Sequence, residues 1–301
     1  MLTILSLQIT IFSLVALGFL VKRIGLVGEQ GQKNLTDLVI YVVLPCNILV
    51  AFQNGTDGES LMPYLVILLI ATGIQLISLL YGKIMYRRQP EGRRKCLQYA
   101  TLCNNAGFIG NPIAEGIYGA EGLALASVYL IPTRIMMWSS GLAMFSGVND
   151  RKAAIKRVLL HPCIIFCALG IVLMVTGLKL PDMIFTPIQT VAKCNTALSM
   201  MVIGMILERI DLKHFWDKTV LIYSVHRLLI MPFLFWCICR LLPISETVFG
   251  VSVILTAMPA GATTSILAEK YGMESEFATK LVITSTLLSL PTVFLWNLFL
   301  A

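Results

Sequence analysis

The stretch NNAGFIGNP, residues 104–112, sets Asn104 and Asn105 beside Gly107, Gly110 and Pro112 inside an otherwise apolar run. A glycine costs a helix interior about 1 kcal/mol, and proline removes a hydrogen bond and clashes with the preceding turn. In hydrocarbon each freed backbone group costs several kcal/mol unless protein or water satisfies it. A second stretch, TAMPAGATTS (256–265), repeats the chemistry with Pro259 and Gly261 followed by Thr263, Thr264 and Ser265. Each break offers the free N–H groups and positive dipole end of a half-helix, which suit an anion. Unwound carbonyls and the amide and hydroxyl side chains suit a polar substrate or a cation. A proline kink satisfied by neighbouring helices is the plain structural alternative for either break alone.

Charges inside apolar runs are the next candidates, since one near a bilayer centre costs roughly 2.5–3.5 kcal/mol or more. Arg134 stands mid-span, and its guanidinium could take a carboxylate bidentately. Lys193 could meet substrate or snorkel to the interface. Arg227, next to His226, is expected to meet lipid headgroups or a cytoplasmic acid. Glu115 and Glu269 are expected at span ends as interfacial residues. Asn47 beside Cys46, and Asn195 with Thr196 and Ser199, could face the breaks from other helices, although small polar side chains also serve ordinary helix packing. The eight cysteines and three histidines form no ligand-spaced cluster, so neither a metal nor another cofactor is expected. H-E-x-x-H, G-x-S-x-G and paired aspartates in spans are absent, which argues against an intramembrane enzyme.

The elements that must position these residues are membrane spans. Of 301 residues, 57% are hydrophobic and 13% charged, where a soluble domain would carry roughly a quarter charged. Ten spans can be drawn, at 2–21, 35–52, 61–82, 97–118, 122–146, 158–177, 185–207, 219–241, 247–268 and 277–299. Eighteen of the 23 lysines and arginines fall in the odd-numbered loops or, for Lys280, in the first turn of the span that follows. The positive-inside rule then places both termini outside. The net charge of +7 is explained by orientation and anionic lipid, not nucleic acid. The sequon Asn54-Gly55-Thr56 falls in the first outer loop.

Two halves echo each other. IAEGIYGAEG (113–122) and LAEKYGMESE (267–276) both read Ala-Glu, then Tyr-Gly, then Glu, and each follows an interrupted helix. Paired interrupted spans in corresponding positions point to a transporter binding site. The expected fold is an all-α polytopic membrane protein of two inverted five-helix repeats, 1–147 and 158–301, with crossed broken helices.

LCNNAGFIGNPI (102–113) resembles the fourth-span motif of the auxin efflux carrier family, and AMPAGATTSILAEKYGMESEFATKLVITSTLLSLPTV (257–293) resembles its ninth and tenth spans. LPCNI in span two and HPCII in span six add to a resemblance that covers the chain. It implies a scaffold of spans 1, 2, 6 and 7 and a mobile transport domain of spans 3–5 and 8–10. It implies organic-anion substrates such as auxin, malate or malonate, and it carries the crossover residues over to Asn105 and Pro259. Asn104 stands where plant carriers have proline, and the loop 147–157 is short. Both departures favour a bacterial organic-acid permease of the inner membrane over an auxin carrier. A homodimer through the scaffold is an expectation of the same kind, while the residues leave open coupling to H+ through the substrate or a histidine, coupling to Na+ bound by carbonyls, and potential-driven uniport. The alternatives are a sodium-coupled symporter of a larger amphipathic acid and a ligand receptor that does not transport.

Overall fold

The computed structural model describes residues 2–54, 61–146, 151–208 and 217–300. Gly55 and Thr56 of the sequon, loop residues 147–150, His214, and the basic residues Arg209 and Lys213 lie outside the described residues. Those described form helices joined by short turns and unwound segments, without strands. In chain order the helices are α1 (Leu2–Arg23), α2 (Glu29–Gln53), α3 (Met62–Met85), α4 (Glu91–Leu102) and α5 (Asn111–Met136). Short segments α6 (Leu142–Ser146) and α7 (Arg151–Leu159) lead to α8 (Pro162–Thr176), α9 (Asp182–Leu207) and α10 (Lys218–Arg240). The chain closes with α11 (Glu246–Thr256), α12 (Thr263–Lys270) and α13 (Ser275–Leu300). Among the described residues α2, α3, α9, α10 and α13 are each long and apolar enough to cross a membrane. Large apolar side chains face outward, with Leu69 72% and Met183 90% exposed. A lipid surround removes the penalty water would impose on them.

Helix α5 is two helices joined at a reversal. Gly119 has φ 63° and ψ −151°, a conformation that is essentially glycine's own. A Cβ on Gly122 would lie 2.5 Å from the Ala114 carbonyl oxygen, so the chain folds back on itself here. The expected boundary between spans four and five falls at this turn. Tyr271-Gly272, the other Tyr-Gly pair of the sequence echo, also ends its half-helix at a left-handed glycine, φ 64°.

Three prolines shape their helices in one way. Pro45, Pro112 and Pro232 each follow, one residue on, a five-residue π-turn: Val39–Val43, Ala106–Gly110 and His226–Ile230. A wider turn moves the carbonyl that the proline ring would strike, and it absorbs the missing donor.

Helix α1 packs along α9, and α2 packs against α8 and α9. At the α1–α9 crossing Gly18 meets the Met201 backbone and Gly204 meets that of Val15, so the two helix backbones touch. Helices α3 and α11 pack on α5, and α10 and α12 on α13. Two apolar cores result. Cys103 and Ala260 belong to one, and Ala106 and Met258 to the other. The two interrupted segments pass through the seam between them.

Candidate functional site

At that seam the two breaks pair as a single antiparallel bridge between Asn104 and Ala260. Asn105 N–H donates to the Pro259 carbonyl at 2.8 Å, and Gly261 N–H donates to the Cys103 carbonyl at 2.9 Å. Proline at 259 lacks a donor but keeps its acceptor, and the bridge uses that acceptor. A Cβ on Gly261 would sit 3.0 Å from the Cys103 oxygen, so the close approach needs glycine. Ser285 on α13 accepts from Ala260 N–H at 3.1 Å. Each break therefore satisfies the backbone groups that the other leaves open.

The first break lies elsewhere than its glycines and proline suggest. The unwound residues are Cys103–Asn105, and Gly107, Gly110 and Pro112 all belong to the helical half that follows. Gly107 and Gly110 sit in the π-turn, and Pro112 opens the helix beyond it. Gly110 admits the end of α11, since a Cβ there would lie 2.5 Å from Leu255 Cδ2. The tertiary bridge, not local helix-breaking, sets where the helix opens.

The two asparagines differ. Asn104 donates its amide to the Leu255 carbonyl at 2.6 Å and ties the first break to α11. The buried Asn105 takes its backbone into the bridge, and among the described residues its side chain makes no hydrogen bond. Asn111, fully buried with neither amide atom partnered among the described residues, was not singled out in the sequence. Its signal was there, as the residue before Pro112 in the same motif. In the second break Ser265 is turned to the Ala262 carbonyl, Thr263 reaches Met137 Sδ at 3.9 Å, and the buried Thr264 hydroxyl has no partner among the described residues.

Arg227 does not face lipid headgroups or a cytoplasmic acid. It is 4% exposed, and it donates from Nε to the Met258 carbonyl at 2.9 Å and from Nη1 to that of Thr101 at 3.1 Å. Tyr223, one turn earlier, donates to the Ala100 carbonyl at 2.8 Å. The C-terminal ends of α4 and α11 meet here, with orphan carbonyls and negative dipole ends facing each other. One guanidinium neutralises both.

Arg134 stands on the opposite, N-terminal side of the first break. A Cβ on Gly107 would lie 3.8 Å from its Nη2. The remaining candidates are less central. Asn47 donates to Glu115 at 2.9 Å, which makes Glu115 a helix-to-helix link between α2 and α5 in place of the interfacial residue expected. Asn195 is buried in α9, accepts from Ser199 at 3.4 Å and leaves its Nδ2 unpartnered. Lys193 is exposed, and no described hydrogen bond links it to either break.

An apolar exterior around helices of spanning length, pierced by a polar bridge between two interrupted segments, defines a polytopic helical membrane protein. A family described as membrane transport protein (Mem_trans) matches residues 3–297, and the chain belongs to that family. Its resemblance to the auxin efflux carriers falls within the same family. It is 27% identical to an uncharacterized transporter of Methanothermobacter thermautotrophicus, over 97% of both chains. To an uncharacterized transporter of Methanocaldococcus jannaschii it is 25% identical over 94% of each. A Rhizobium meliloti protein named "Putative malonate transporter" shares 21% identity, over 96% of this chain and 93% of its own.

Proposed function

We propose that this membrane transporter carries small organic anions, malonate-like carboxylates among them, by alternating access at the paired breaks. The observation that carries the reading is the charge arrangement at the bridge. The C-terminal ends of α4 and α11 are compensated by Arg227, whereas the N-terminal half beyond the first break has Arg134 beside it. A half-helix N-terminus and a guanidinium side by side favour an anion between them. The likeness to a protein named for malonate supports the substrate class. In this reading Asn105, Pro259, Gly261 and Thr263 shape the site. The α1, α2, α8 and α9 group is the scaffold, through which the protein dimerises in the plasma membrane, and the remaining helices move against it. Lys193 and Asn195 then belong to the scaffold side.

The test is uptake of labelled malonate, malate and indole-3-acetate into proteoliposomes under imposed pH, sodium and voltage gradients. Uptake of one acid, lost in Asn105→Ala, is the expected result, and the effective gradient identifies H+ or Na+ as coupling ion. Binding without uptake would support a receptor instead. Sodium-driven uptake of a bulky amphipathic acid alone would replace the small-anion reading.

A further inference from the structure

An open cavity of about 380 Å³ is lined by Tyr41, Trp138, Leu160, His161, Pro162 and Lys270. Its volume lies within the roughly 300–1,000 Å³ range of small-molecule clefts. Among the described residues no acidic side chain lines it, and Lys270 contributes a positive charge. In its wall, His161 Nε2 stands 2.8 Å from Arg134 Nη1, the same guanidinium that lies beside Gly107 of the first break. His161 in the cavity wall is thus linked by contact through Arg134 to the helical half beyond the first break.

The donors in this wall do not match the acceptors. His161 caps α8, its Nδ1 accepting from Cys163 N–H at 3.2 Å, and its ring stacks on Tyr41 with centroids 6.4 Å apart. Nδ1 used as an acceptor leaves the neutral ring's proton on Nε2. That N–H then faces a guanidinium that can only donate. Exchanging the tautomer moves the conflict to Cys163, because a neutral imidazole has one lone pair to offer and two N–H groups point at it. Among the described residues the buried Arg134 Nε has no hydrogen-bond partner and no carboxylate pairs with Arg134. Two donors converge where an acceptor is needed, at the inner wall of a positive cavity.

We infer that Arg134 and His161 form a carboxylate-binding pair, and that the cavity lined by Tyr41 and Trp138 is where a small carboxylate approaches it. A carboxylate with one oxygen on the guanidinium and the other on His161 Nε2–H satisfies both donors with charge-assisted hydrogen bonds. The proposal rests on the organic-anion reading above and adds a residue, His161, on a different helix from the breaks.

Calorimetric titration of purified protein in detergent with malonate, succinate and acetate tests it, thermal unfolding first verifying that each variant is folded. His161→Phe keeps the ring stack and removes the donor, and about tenfold weaker binding is expected. His161→Gln, whose amide returns a donor, should recover most of that loss, which a purely structural role would not predict. Arg134→Lys keeps the charge but not the fork, and should weaken binding roughly 10- to 100-fold. Wild-type affinity in His161→Phe, or no recovery in His161→Gln, would overturn the pair. If those results come with Asn105-dependent uptake intact, the transport reading survives alone. If the wild type neither binds nor carries any of the three acids, both fail.

Discussion

At the residue scale, neighbouring polar groups at the crossing divide into those that hold the backbone and those left to meet a ligand. Asn104 holds: its amide is committed to the Leu255 carbonyl. Asn104→Ala leaves that carbonyl unpaired and should cost about 1–3 kcal/mol, read as a lowered unfolding midpoint in detergent. Asn105 contributes only its backbone to the bridge, so Asn105→Ala should leave the midpoint unchanged while uptake falls more than tenfold. The opposite pattern would exchange the two roles. Arg227 also holds. Arg227→Leu strips a cation from two converging helix ends and leaves the carbonyls of Met258 and Thr101 without their donor. A loss of about 3 kcal/mol or more is expected, and a midpoint within experimental scatter of wild type would refute the clamp.

At the element scale, three separate devices modify the helices. π-turns precede Pro45, Pro112 and Pro232 and keep those helices continuous through a residue that would otherwise kink them. The helices open fully at 103–105 and 259–261, where each segment supplies hydrogen bonds to the other. The left-handed turn at Gly119 is a third device, a reversal within one residue. Gly119→Ala should destabilise by about 1–3 kcal/mol because a Cβ is forced into that conformation. The Gly73→Ala control lies inside α3 with open space around it and should be neutral or slightly stabilising. Equal midpoints for the two variants would mean that the turn at 119 relaxes.

At the scale of the whole molecule, the loops sort onto two faces. Arg23 pairs with Glu208 at 3.2 Å, and Arg93 reaches both Asp217 at 3.3 Å and Glu274 at 3.0 Å. All of these loops were assigned to the basic side. On the other face Gln53 donates to the Leu178 carbonyl at 3.1 Å and accepts from Leu180 N–H at 2.9 Å, while Thr247 lies 3.5 Å from Glu121. This alternation is what successive membrane crossings require, and the charge bias predicts which face is cytoplasmic. A C-terminal alkaline phosphatase fusion should be active and a C-terminal fluorescent protein dark, whereas a fusion after residue 90 should show the reverse. The inverse result would turn the molecule over in the membrane without altering its fold.

Much of this was legible in the one-dimensional pattern. Long apolar runs, the alternation of basic loops and the two Gly-Pro-rich stretches with their shared Tyr-Gly ending follow from helix length, backbone chemistry and loop charge, all of which are local properties. Tertiary structure decided what depends on partners. A proline or glycine marks where a helix can open, but the opening fell at Cys103–Asn105 because Pro259 and Gly261 supply a carbonyl and an N–H there. The apolar setting of Arg227 reads equally as snorkelling or burial until the carbonyl ends of α4 and α11 converge on it. His161 belongs to no sequence cluster, and it becomes chemically pointed only when folding sets its ring against Arg134, 27 residues away in the chain. Spacing along a chain encodes the face of a helix, whereas the pairing of donors with acceptors across helices is set only when the helices pack.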